Sequence, residues 1–126
     1  QNFKDWFYPK VEPAVLSVKL HFSTLMEDSL DESIILELGG QATAAVALGH
    51  IIGAVKRQNT GETRALLING CVNIAYAFDA SGSLRAVDVH WYGGGWGVYA
   101  SSVSCLVRWG VGCRVFSSNS SVTVAA

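Results

Sequence analysis

Two residues have types and spacing that could move a proton. Asp88 and His90 stand two apart in a run where Val87, Val89 and Trp91 supply the alternate positions. On an extended strand their side chains leave the same face with Cα atoms about 6.5–7 Å apart. A carboxylate that orients an imidazole can make a general base. No motif ties a nucleophile or a second acid to the pair, so a surface hydrogen-bonded pair is the plainer reading.

The last third of the chain also gathers Trp91, Trp96 and Trp109 with Tyr92 and Tyr99. Aromatic platforms bind sugars, bases and proline-rich peptides. Strand parity groups Trp91 with Val87 and Val89, and Trp96 with Val98, which assigns both to the core. Trp109 precedes Gly110 in a loop and is the aromatic expected to touch a ligand or partner.

No metal or cofactor site is expected. His50 and His21 lack partners at ligand spacing, with no His-x-x-x-His or His-Glu-x-x-His. The acidic group Glu27, Asp28, Asp31, Glu32 and Glu37 lacks the alternating ligands and central glycine of a calcium loop. It reads as helix-start chemistry. Gly93–Gly95 and Gly110-Val111-Gly112 lack the spacing and the following helix of a dinucleotide fingerprint, and read as turns. Cys71, Cys105 and Cys113 are odd in number and widely spaced, which disfavours a disulfide framework. Reduced thiols are expected, with a Cys105–Cys113 bridge left open for an oxidising compartment.

The elements that must position these residues fit one α+β domain over all 126 residues. Phe3, Trp6, Phe7 and Tyr8 form a lead segment that docks on the body before Pro9 and Pro13. Residues 14–22 alternate as a half-buried strand. Ser29 and Glu32 suggest a capping box for a short helix over about 30–38, ended by Gly39-Gly40. The main helix is expected over about 43–58, where Leu48, Ile51, Ile52 and Val55 make an apolar stripe. Its first residues, 41–46, fit a strand as well. Ala45, Gly49 and Gly53 form a small-residue stripe that predicts close approach of another element.

A curved, mainly antiparallel sheet of four to six strands follows: 64–68 as a lead-in, then 71–78, 84–92, 96–103, 113–117 and 122–124. With Val72, Ile74, Tyr76, Phe78, Val87, Val89 and Trp91 placed toward the helices, the outer face collects Asn73, Ala75, Ala77, Asp79, Asp88, His90, Tyr92, Tyr99 and Ser101. That face lacks the Lys and Glu of a solvated sheet.

Half the residues are hydrophobic, 15% are charged, and the net charge is −1. So apolar a small chain is expected to leave greasy surface for an interface or ligand site. No basic stripe suits nucleic acid. The longest apolar run, 42–55, is too short to span a membrane. With no secretion signal at the start, a cytoplasmic protein is expected. The first functional expectation is a non-enzymatic binding module that forms a homodimer through the outer face, with Asn73, His90, Tyr92, Tyr99 and Trp109 at the contact. The alternatives are a small enzyme using Asp88 and His90, and a carrier of small apolar ligands.

Overall fold

A computed structural model describes residues 2–8, 21–58, 66–104 and 108–117. Its elements run in the order α1 (Asn2–Phe7), β1 (His21–Thr24), α2 (Asp31–Glu37), α3 (Gln41–Ala44), α4 (Leu48–Arg57), β2 (Asn73–Phe78), β3 (Leu84–Trp91), β4 (Trp96–Ser102) and β5 (Arg114–Ser117). The α+β class stands. Of the expected strand 14–22, the part before His21 lies outside the described residues. So do Arg64 and Ala65 of the lead-in strand, Cys105, and the strand 122–124. Leu66–Ile68 are described and are not a strand.

The expected mainly antiparallel sheet is a mixed one. Its five strands lie in the order β1-β5-β2-β3-β4. β2, β3 and β4 pair antiparallel as the local hairpins require, but β5 returns past them and lies parallel to β2, with β1 antiparallel on its far side. A meander reading places each strand beside its predecessor, and β5 breaks that rule.

The β2–β3 turn is built by one carboxylate. Asp79 Oδ1 accepts the Ser81 and Ser83 N–H groups (both 2.9 Å) and the Ser81 hydroxyl (2.7 Å). Its Oδ2 meets Arg85 Nε at 2.9 Å. Burial alone would raise this acid. The bonds from Ser81, Arg85 and the backbone outweigh it and hold Asp79 below the ordinary carboxylate range. Arg85 also lies over the Trp6 ring at 3.7 Å, which ties the turn to α1.

The expected main helix is interrupted. α3 ends at Ala44, residues 45–47 are extended, and α4 starts at Leu48. The interruption has a partner: Ala45 bridges Tyr76 in parallel, and the Val46 N–H donates to the Tyr76 carbonyl at 2.8 Å. The edge of β2 that β5 leaves free beyond Ile74 is thus satisfied by this short extended piece. Leu30 occupies the N-cap of α2 without a side-chain bond, and the Ser29 hydroxyl donates to the Glu27 carbonyl.

The register decides which residues share a face, and it corrects the expected layers. Ile74 pairs with Asp88, Tyr76 with Ala86, and Asn73 with Val89. Directly opposed residues share a face. Ile74, Tyr76 and Phe78 therefore stand with Leu84, Ala86 and Asp88. Asn73, Ala75 and Ala77 stand with Val87 and Val89. Alternation within each strand is as expected, but β2 and β3 are out of phase with the expected alignment by one residue. Both faces carry helices. Ile34 and Ile35 of α2, Leu38 just after it and Ala44 of α3 pack on Ile74, Tyr76, Ala86 and Val115. On the other face, Ile51 and Ala54 of α4 pack on Ala75, Val89 and Phe116, and Phe7 of α1 packs on Ala77, Val87 and Ala100. Coverage on both faces explains why β2 is buried almost throughout.

Among the described residues, the close approach expected at Gly53 is not found. A Cβ added there would meet, of those residues, only the end of the Arg57 side chain, at 3.4 Å. Gly53→Ala is therefore expected to stabilise the protein by up to about 1 kcal/mol, from helix propensity alone. Chemical denaturation measures it, and a loss of stability would place an unseen contact at this position.

Candidate functional site

Among the described residues no helix packs on the β3–β4 end of the α2-side face, and there the structure brings together Asp88, His90, Tyr92 and Tyr99. Asp88 opposes Tyr99 and His90 opposes Gly97 in the β3–β4 ladder. Asp88 and His90 follow β-strand periodicity, while Tyr92 is placed by the turn beyond β3, where its N–H donates to the Gly95 carbonyl at 3.0 Å. The Tyr92 ring lies parallel to His90, with centroids 4.9 Å apart and planes 14° from coplanar. Its hydroxyl donates to that of Tyr99 at 3.1 Å, and the two tyrosine rings stand nearly perpendicular, at 88°. Tyr92 is 59% exposed and Tyr99 42%.

Gly97 makes this packing possible. A Cβ there would collide with Tyr92 Cε2 and come within 3.0 Å of Tyr99 Cε2. Sequence reasoning missed Gly97. Its one signal was a glycine inside a strand, which marks a close approach.

Asp88 lies opposite Tyr99 on this face. Its Oδ1 is buried and has no hydrogen-bond partner among the described residues. Burial pushes the carboxyl up to about 6, and the charge of His90 pulls it back only partly. A carboxyl near 4 in the unfolded chain and near 6 in the fold binds more protons folded. Its contribution to stability is full below about pH 4 and is lost as pH rises through 6. Asp88→Asn is expected to stabilise the protein at neutral pH and above by about 1 kcal/mol, a figure lowered for solvent screening, with no gain below about pH 4. Urea titrations of both proteins across that range measure the difference. A gain that does not grow with pH would contradict the buried carboxylate.

Two of the expected contact residues belong elsewhere. Asn73 lies on the opposite face, 2% exposed. Its amide donates to the Leu67 and Val89 carbonyls and accepts the Leu67 N–H, so it fastens 66–67 to the sheet. It was misplaced because the register of β2 against β3 was out by one. Trp109 is half-buried. Its backbone exchanges two hydrogen bonds with Ser29, and its indole Nε1 donates to Asp31 Oδ1 at 2.6 Å. The same oxygen accepts the Tyr76 hydroxyl at 2.7 Å. Asp31 is 2% exposed. Burial raises its pKa, and the two donors offset this only in part. Asp31 stands in the first turn of α2, as the helix-start reading expected, and is also a buried node joining α2, β2 and the Trp109 loop. The available signal was Tyr76, whose hydroxyl needs a partner if its strand face is core.

A surface cavity of about 400 Å³ lies between α2, α3 and the residues after β4. Ile35, Leu36 and Val103 give it an aliphatic lining, and Glu32 is the charged residue among those that line it. Cys71 and Cys113 are free thiols. Among the described residues, no group of three or more His, Cys, Asp or Glu side chains could hold a metal ion, and no helix is long and apolar enough to cross a membrane. No family model matches the sequence, and neither a curated protein nor a solved structure matches it.

Proposed function

We propose that this chain is a small binding and interaction module that pairs with a second copy of itself through β4 and offers the adjoining Asp88–His90–Tyr92–Tyr99 face for recognition. The observation that carries the reading is the character of β4. It is the last strand of the sheet among the described residues, and its seven residues include no charge and no proline. Natural proteins blunt exposed edges with lysine, proline, bulges or short strands, because an open row of N–H and C=O groups pairs with other chains. Among the described residues the strand on the opposite edge, β1, is short, with four residues. In antiparallel β4–β4 pairing the two-fold axis makes the edge its own complement. The free thiols suit a reducing compartment, and we place the protein in the cytoplasm.

Sedimentation equilibrium tests this reading. The wild type is expected to dimerise with rising concentration. Tyr99→Lys, which sets like charges near the axis at mid-strand, is expected to weaken the dimer by about tenfold or more while leaving the far-ultraviolet circular dichroism unchanged. A wild type that stays monomeric throughout, or a variant that dimerises equally well, would overturn it.

One observation favours a second reading. A carboxyl near 6 beside an imidazole suits proton transfer at neutral pH, and an enzyme built on Asp88 and His90 would use it so. That reading requires a substrate whose turnover is lost in Asp88→Asn.

A further inference from the structure

The geometry points to a ligand class for the recognition face: Asp88, Tyr92 and Tyr99 form a receptor for an organic cation, an alkylammonium or quaternary ammonium group. The inference names what that face takes and so rests on the reading of it as a recognition surface. It does not require the β4 dimer.

Two independent features carry it. The first is the carboxylate. Asp88 Oδ1 is buried and meets no donor among the described residues. A buried acceptor left open costs free energy, and a buried anion is normally paired. A cation held at this end of the face offsets that charge through space, whether or not it carries an N–H. The second is the pair of rings. The tyrosines stand at 88° with centroids 6.5 Å apart, joined hydroxyl to hydroxyl. Tyr92 is braced from behind by His90 and has room only because residue 97 lacks a Cβ. Asp88 opposes Tyr99 across the β3–β4 ladder, so two aromatic rings and a carboxyl group meet at one end of the face. That combination recognises ammonium groups. The tyrosines remain open to solvent, so a ligand reaches them without a rearrangement of the core.

A neutral polyol would be held differently. It would need donors as well as acceptors, and one of the two phenolic protons is already committed to the Tyr92–Tyr99 bond. Charge is what this site is short of, and a cation is the ligand that brings it.

The test uses choline and its neutral isostere 3,3-dimethyl-1-butanol, with n-butylammonium as a primary amine and methyl glucoside as a neutral sugar. Each is titrated into the ¹⁵N-labelled full chain at about pH 8, above the range in which the Asp88 carboxyl titrates. Saturable shifts of the amides from Asp88 to Tyr99 are expected with the two ammonium probes. The neutral isostere should bind about tenfold more weakly or worse. Asp88→Asn, which keeps the shape and removes the charge, should weaken the ammonium probes by about tenfold or more, and Tyr92→Leu should weaken choline to a similar degree. Both variants keep a wild-type spectrum away from the site if the fold is intact. Equal binding of the isostere, or unchanged binding in Asp88→Asn, would overturn the cation assignment. Shifts from methyl glucoside alone would overturn it too, while leaving the face a recognition surface. If no probe moves these amides and Tyr99→Lys leaves the oligomeric state unchanged, both the assignment and the reading beneath it fall.

Discussion

Asp31→Ala should lower stability by about 3 kcal/mol or more, the largest loss expected from any single polar side chain described above. The carboxylate stands at the start of α2, and Tyr76 and Trp109, 45 and 78 residues further on, both donate to its Oδ1. Tyr76 is wholly buried. Truncation leaves its hydroxyl and the Trp109 indole without an acceptor where water does not compete, and each orphaned donor costs about 1–3 kcal/mol. Tyr76→Phe should cost less, about 1 kcal/mol, because it removes one donor and leaves the carboxylate bound to Trp109. The comparison separates a hydrogen-bonded node from a generic core site. Urea denaturation of the two variants measures it. Equal losses, or an Asp31→Ala loss below about 1 kcal/mol, would remove the node.

Gln58→Ala carries the second large expectation, a loss of about 2–4 kcal/mol. Gln58 follows α4 and is 1% exposed. Its side-chain amide donates to the Leu66 carbonyl at 2.8 Å and accepts the Leu66 N–H at 3.1 Å, as a neighbouring strand would. Its own carbonyl accepts the Trp96 indole N–H at 2.8 Å, a bond the alanine variant keeps. The whole effect of the substitution therefore falls on Leu66, itself 2% exposed. The Leu66 amide should lose hydrogen-exchange protection well before the Val87 amide does. Uniform loss across the sheet would show that Gln58 acts only through global stability.

These two nodes show what the sequence could and could not reveal. Alternation placed β2, β3 and β4 within a residue or two, because a period of two is visible along each strand. It could not align one strand with the next. A slip of one residue exchanges faces, and nothing in the turn Asp79–Ser83 discloses that Ile74 will oppose Asp88. Asn73 was lost from the site for that reason alone. Asp88, His90 and Tyr99 stay together because they lie on β3 and β4, whose relative phase was right, and Tyr92 joins them through the turn after β3. The break at 45–47 was half legible, since 41–46 fitted a strand. What made it extended was the free edge of β2, a tertiary demand with no local signature. β5 lying parallel to β2 is of the same kind. Gln58, Asp31 and Trp109 were illegible as a class, because buried polar contacts spanning 8 to 78 residues leave no periodic trace.

Hydrogen exchange along β4 as a function of protein concentration tests the central claim most directly. Alternate N–H groups of an edge strand point away from the sheet and exchange freely unless another strand takes them. The account predicts that the outward-pointing amides between Trp96 and Ser102 gain protection as concentration rises, that β1 amides do not, and that Tyr99→Lys abolishes the gain. Outward amides of β4 that exchange at the same rate at every concentration would mean that no second copy covers this edge.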